Sequence, residues 1–200
     1  PPQPCSSAAS DVYKRQLFAL VLLHLLGLSA SFALEVGDQA PGFSALSSDG
    51  INWESSSLLG KKHLIVYFYP AAMTGGCTKQ ACAYSDHEKE WRSRGVEVIA
   101  ISGDSPENLN LFKKAENLNL TLLSDPKGKI AKTFGVPTGK GGQIERVVNG
   151  EKVTLKRGVT AKRWTFVVSK QGKILFVNDR VNAAQDSSSL LSLFKEKNLK

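Results

Sequence analysis

Residues 63–91 read HLIVYFYPAAMTGGCTKQACAYSDHEKEW. Leu64 to Tyr69 is a continuous apolar run of strand length, rich in branched and aromatic side chains, as expected of a central strand covered on both faces. Pro70 stops it. A short loop with Thr74, Gly75 and Gly76 follows, and then helical spacing begins with Cys77 in the first turn and Cys82 five residues on. Unpaired amides and the positive end of the helix dipole gather at a helix start, and both stabilise a thiolate over a thiol. Cys77 is therefore placed to be a nucleophile.

The second cysteine sharpens this. A five-residue step on an ideal helix rises ~7.5 Å and turns ~140°. That puts the two Cα atoms roughly 8 to 9 Å apart, beyond the ~7 Å reach of a disulfide. If the pair is to bond, the helix must open first. Cys77, Ala81, Tyr84 and Trp91 fall on one stripe expected to face the core, with Cys82 pointing elsewhere. Two inert thiols would leave the strand, the Gly-Gly turn and the helix-start position without a reason; a redox switch tied to local unfolding uses all three.

The chain has 200 residues, enough for one ordinary domain plus an extension, with 42% hydrophobic residues and a formal net charge of +8. Its lysines are scattered through helices and loops without an aromatic-interleaved basic stripe, so they read as a solvated surface and not as a nucleic-acid site. Residues 1–16, including Cys5, lack periodicity and are expected to be a non-native or disordered leader; the SSAASDVYKRQ portion resembles translated adapter sequence. Lys14-Arg15 then precede a leucine-rich run and the small residues Ser31 and Ala33. Residues 17–33 are thus expected to be a secretory signal cleaved after Ala33, which would place the protein outside the cytoplasm, in a periplasm or a thylakoid lumen. An uncleaved anchor over residues 17–34 is the alternative. Either way the domain at 34–200 keeps Cys77 and Cys82 as its cysteines.

Beyond the opening stretch, strands and helices alternate. Phe43 to Leu46 and Ile51 to Trp53 flank a Ser48-Asp49-Gly50 turn, predicting an added N-terminal hairpin. Leu58-Leu59-Gly60 suggests a short helical turn. The cysteine helix is expected to run to about Gly95, followed by a strand from Val96 to Ile101. Ser105-Pro106 marks a capped helix carrying Leu109 and Phe112 inward. Leu120 to Leu123 is a strand, and Asp125-Pro126 predicts another helix start, ended by Gly135. Gly139 to Gly142 reads as a mobile Gly/Lys loop, and Asn149-Gly150 as the turn of a hairpin spanning Ile144 to Leu155. Trp164 to Val168 and Ile174 to Val177 form a last hairpin, before a helix capped by Asp186 or Ser187. Parallel units first and an antiparallel hairpin last predict an α/β domain of the thioredoxin-like fold, a central mixed sheet flanked by helices.

Three separated pieces carry a family likeness. Pro70, Thr74 and Cys77 spell Pro-x-x-x-Thr-x-x-Cys, which resembles the peroxidatic motif of peroxiredoxins. Cys82 stands where the subgroup called peroxiredoxin Q or bacterioferritin comigratory protein carries its resolving cysteine, and Arg163 in RWTFVV matches an arginine opening a late strand. The resemblance runs from about Val36 to Phe194. It implies a thiol peroxidase without metal or organic cofactor, acting on hydrogen peroxide and alkyl hydroperoxides, reduced by thioredoxin or another dithiol, and monomeric. It further implies that Arg163 sits beside Cys77, that Thr74 hydrogen-bonds the peroxide, that Pro70 shields the sulfenic acid, and that Cys82 condenses with it. Gly75, Ser85 and Trp164 depart from the family pattern, without removing a group the chemistry needs.

Two other functions share the fold. A thioredoxin-like disulfide oxidoreductase would use Cys-x-x-Cys, whereas four residues separate these cysteines. A copper chaperone would need Cys77, Cys82 and a histidine, His87 or His63, around one ion, which an ideal helix does not allow for Cys77, Cys82 and His87.

Overall fold

The computed structural model describes residues 33–199. The leader expected at 1–16 and the signal segment through residue 32 lie outside the described residues. A hairpin of β1 (Ser44–Leu46) and β2 (Asn52–Glu54) comes first, followed by a 3-10 turn at Ser55–Ser57 and then β3 (His63–Phe68). Next come α1 (Gly75–Asp86), α2 (Glu88–Ser93), β4 (Val96–Ser102), α3 (Pro106–Ala115), β5 (Thr121–Ser124) and α4 (Lys129–Thr133). The chain closes with β6 (Thr138–Val148), β7 (Glu151–Ala161), β8 (Trp164–Val168), β9 (Ile174–Asn178) and α5 (Asp186–Glu196). Among the described residues no helix is long and apolar enough to cross a membrane.

The main sheet has the order β5-β4-β3-β8-β9, with β3 at its centre. β3 runs parallel to β4 and antiparallel to β8, so the sheet is mixed, in the thioredoxin-like arrangement expected from the sequence. Every residue of β3 is buried. The two-residue period explains why. Ile65, Tyr67 and the following Tyr69 join the apolar layer containing Cys77, Ala81, Tyr84, Trp91 and Phe194, while Leu64, Val66 and Phe68 enter the opposite layer with Ile130, Phe134 and Phe166. The cysteine helix thus rests on one face of the central strand, and its predicted core stripe is all 2% exposed or less.

Three expectations change. The cysteine helix does not run unbroken to Gly95; it breaks at His87, after Ser85 and Asp86, residues that favour caps over helix interiors. The helix after Asp125-Pro126 starts later, because Gly128 in left-handed conformation (φ 63°) inserts a turn. Asp125 still caps it, accepting from Lys129 N at 2.7 Å and Ala131 N at 2.9 Å. Neither Asp186 nor Ser187 caps α5: Gln185 takes that position and the two side chains turn inward. The short turn expected at Leu58-Leu59-Gly60 is present, with Lys61 N and Lys62 N both donating to Leu58 O at 3.0 Å, directly after the 3-10 turn at Ser55–Ser57.

The largest correction concerns Gly139 to Gly142. They belong to β6, paired with β7 in a two-stranded ribbon far longer than the predicted hairpin. At its tip Asn149 (φ 52°) and Gly150 (φ 86°) make the left-handed turn the sequence announced. Glycines allow the ribbon to close tightly: a Cβ on Gly141 would collide with the Arg157 carbonyl, and one on Gly158 with the Pro126 carbonyl. Gly158 N donates to Gly103 O at 2.9 Å, docking the ribbon against the end of β4.

Candidate active site

Cys77 lies in the first turn of α1, buried to 2% exposure, with Thr74 at the helix N-cap. Sheet register brings Arg163 to it. β8 begins with Trp164 opposite Phe68, the last residue of β3, so the residue before β8 lands beside the loop that leaves β3. Arg163 Nη2 donates to Cys77 Sγ at 3.2 Å across 86 positions of sequence. The guanidinium lies against the helix start, since a Cβ at Gly76 would be 3.4 Å from Nη2. The sulfur is thus met by a cation from β8's approach and by the N-terminal end of α1 at once.

The second guanidinium arm, Nη1, donates to Gln80 Oε1. Gln80 is fully buried, and its Nε2 donates to Asp186 Oδ2 at 2.8 Å. The same oxygen accepts from Tyr84 Oη at 2.7 Å and Thr165 Oγ1 at 2.8 Å. Burial, followed by the neighbouring negative groups, holds the Tyr84 phenol well above its ordinary range, so it stays a donor. Tyr67, stacked on Tyr84 with ring centroids 4.9 Å apart, is raised in the same way, with burial the main cause and Cys77 the first of the nearby charges.

The loop between β3 and α1 is tied at three consecutive residues. Thr74 Oγ1 donates to Ala71 O at 2.9 Å, which leaves its lone pairs as acceptors. Ala72 N donates to Asp104 Oδ2 at 2.8 Å, and Asp104 is itself 1% exposed at the end of β4. Met73 adopts φ 57°, a conformation rarely taken by a non-glycine residue, and Arg146 Nε from the ribbon donates to its carbonyl at 2.8 Å. Pro70 occupies the bend after β3, half-buried.

Cys82 differs in its surroundings. It is half-buried where Cys77 is buried, and both are free thiols outside any disulfide. Partial burial, then Glu116 and Asp86, pushes its thiol up. Of the histidines weighed as copper ligands, His87 pairs its Nδ1 with Ser187 Oγ at 2.9 Å and His63 packs edge-on against Phe194. Among the described residues no three His, Cys, Asp or Glu side chains converge as metal ligands.

Cys77, Arg163 and Thr74 are therefore gathered at one helix start, Pro70 is on the same loop, and Cys82 stands on the same helix with a different exposure. Sequence reasoning missed Gln80, Asp104, Arg146 and Asp186. Gln80 could have been noticed as a lone amide next to the apolar stripe, and Asp186 was visible only as a helix cap.

The AhpC/TSA family matches this chain over residues 36–177. The chain is a peroxiredoxin of the AhpC/TSA family. Peroxiredoxin Bcp of Escherichia coli (strain K12) is 37% identical over 164 residues, covering 82% of this chain and 97% of that protein. The chloroplastic peroxiredoxin Q of Populus jackii is 46% identical over 101 residues, covering 50% of this chain and 47% of its own. The crystal structure of peroxidoxin BcpB from Mycobacterium tuberculosis superimposes with a TM-score of 0.67 at 29% identity, covering 82% of this chain and 97% of that one. This peroxiredoxin is thus a thiol peroxidase, an oxidoreductase acting on a peroxide at the expense of a thiol reductant.

Proposed function

We propose that this peroxiredoxin reduces hydrogen peroxide and alkyl hydroperoxides with Cys77 as the attacking thiolate and Cys82 as the resolving thiol. The observation that carries this is the 3.2 Å bond from Arg163 Nη2 to Cys77 Sγ at the start of α1. Thiolate attack breaks the O–O bond and forms an S–O bond, so sulfur loses two electrons and an alkoxide or hydroxide leaves, taking a proton. Arg163 stabilises charge on both oxygens as it develops, and the Cys77 backbone N–H adds a donor. Thr74 Oγ1 accepts a hydrogen bond from the hydroperoxide O–H, whose hydrogen stays on the oxygen passed to sulfur while the leaving oxygen is protonated by solvent. Pro70 shields the sulfenic acid that results.

Cys82 then attacks that sulfur. The S–S bond forms, the S–O bond breaks, and the hydroxyl leaves as water with the Cys82 proton. Because the two sit five residues apart on α1, that helix unwinds for the bond to close. Thioredoxin or another dithiol restores both thiols by exchange and is itself oxidised to a disulfide. Gly75 within the first turn eases the unwinding. We assign the protein to an extracytoplasmic compartment through residues 17–33, and to a monomeric state without lasting membrane attachment.

Peroxide consumption supported by a dithiol tests the assignment. Cys77→Ser is expected to abolish turnover, and Cys82→Ser to allow one oxidation and then stall until a small thiol is added. Full turnover in Cys77→Ser would remove the proposed nucleophile.

A further inference from the structure

Behind the groups that touch sulfur lies a carboxylate the reaction scheme does not use. Asp186 is 4% exposed, opens α5, and is not in an ion pair among the described residues. Three donors converge on its Oδ2, from α1 twice and from β8 once. A carboxylate is an acceptor only, whereas the Gln80 amide has a donor end and an acceptor end that fill nearly the same space. Asp186 therefore dictates which way that amide faces. With Nε2 turned to the carboxylate, Oε1 must face Arg163, where it accepts from Nη1 and leaves Nη2 directed at Cys77 Sγ. Reversing the amide would set an NH2 group against the guanidinium and push the cation off the sulfur.

We propose that Asp186 is a positioning residue for the peroxidatic centre: it orients Gln80, through Gln80 it aims Arg163 at Cys77, and it keeps α1 folded until the sulfur is oxidised. The second half follows from placement. Gln80 lies between Cys77 and Cys82, and Tyr84 one half-turn beyond, so unwinding α1 breaks two of the three bonds to Asp186. Weakening them hinders the first chemical step and eases the second. This rests on the reading of Cys77 and Cys82 given above.

Asp186→Asn keeps the shape and gives the site a donor as well as an acceptor, so the amide loses its fixed sense. Stopped-flow tryptophan fluorescence of the reduced protein mixed with hydrogen peroxide separates oxidation from disulfide closure. Oxidation in Asp186→Asn is expected to slow by about tenfold or more, while closure accelerates. Gln80→Met breaks the same link from its other end, and the double variant is expected to lose no more than the worse single one, as coupled groups do. Ser187→Ala is the neighbour control. Ser187 also turns inward from α5, but it bonds Trp91 and His87 and not the Arg163 path. Its oxidation rate should stay within about twofold of wild type.

Additive losses, an equal slowing in Ser187→Ala, or an oxidation rate in Asp186→Asn within about twofold of wild type would overturn the proposal. Should Asp186→Asn not fold, an unchanged oxidation rate in Gln80→Met overturns it alone. Failure of the underlying reading shows differently, as turnover surviving in Cys77→Ser.

Discussion

The two ends of α1 carry the same functional group in opposite settings. At its start Cys77 is buried, hydrogen-bonded to a guanidinium and set in the first turn of the helix. Toward its end Cys82 is half-buried beside Glu116 and Asp86, and its thiol is pushed up. The contrast extends to anchoring. The Cys77 end is held by Arg163, by Gln80 on Asp186, and by a loop whose Ala71, Ala72 and Met73 backbone groups are each bonded to a side chain. Cys82 itself packs partly buried against the apolar core, with no side chain bonded to the sulfur among the described residues. The helix around it is held by Tyr84 on Asp186 and by Asn119 N donating to Ser85 Oγ at 2.8 Å. In the proposed cycle one sulfur attacks while the helix is folded, and the other gains its use only when the helix opens. Neighbours assign the order of the two steps, because thiol reactivity follows charge and access.

Erasing the electrostatic difference breaks the comparison most severely. Arg163→Met removes the cation while keeping a long apolar side chain. It is expected to lower the second-order rate with hydrogen peroxide on the order of a hundred- to a thousandfold, the range for losing one donor to a developing oxyanion. A change of less than tenfold would place the activation of Cys77 elsewhere. The mechanical difference is tested next. Arg146→Ala cuts the tie from the ribbon to Met73, whose left-handed backbone costs roughly 1 to 3 kcal/mol to hold. Peroxide reactivity should fall by about three- to tenfold with the melting temperature little altered, and disulfide closure should quicken. Unchanged rates would make the ribbon irrelevant to the centre.

The smallest effect sharpens the Cys82 side. Its thiol is raised first by partial burial and then by Glu116 and Asp86, so alkylation of reduced Cys82 should begin at higher pH than for a free cysteine. Glu116→Gln removes one negative neighbour and should move that onset to lower pH, speeding alkylation about two- to threefold at a fixed alkaline pH in low salt. Salt should shrink the difference. An onset that moves upward would show the sign of the charge effect to be wrong.

Much of this was legible along the chain. Leu64 to Tyr69 announced a strand buried on both faces, and β3 is buried throughout. Asn149-Gly150 announced a hairpin, since both residues must take positive φ in so tight a turn. Gly139 to Gly142 misled because glycine marks flexibility and close backbone approach alike, and only a partner strand distinguishes them. Asp186 and Ser187 misled in the same manner: a residue fit to cap a helix is equally fit to bond a buried amide, phenol or indole, and the choice depends on what packs above it.

Local pattern alone was sufficient for the order of elements, for the position of Cys77 at a helix start and for the five-residue step to Cys82, because those follow from short-range sterics and periodicity. Which arginine meets the sulfur, which amide steadies that arginine and which carboxylate orients the amide were decided by the pairing of β8 with β3 and the docking of α5 on α1. These contacts join residues some eighty to a hundred positions apart, and their geometry is set by strand register and helix packing, which no neighbouring residue encodes.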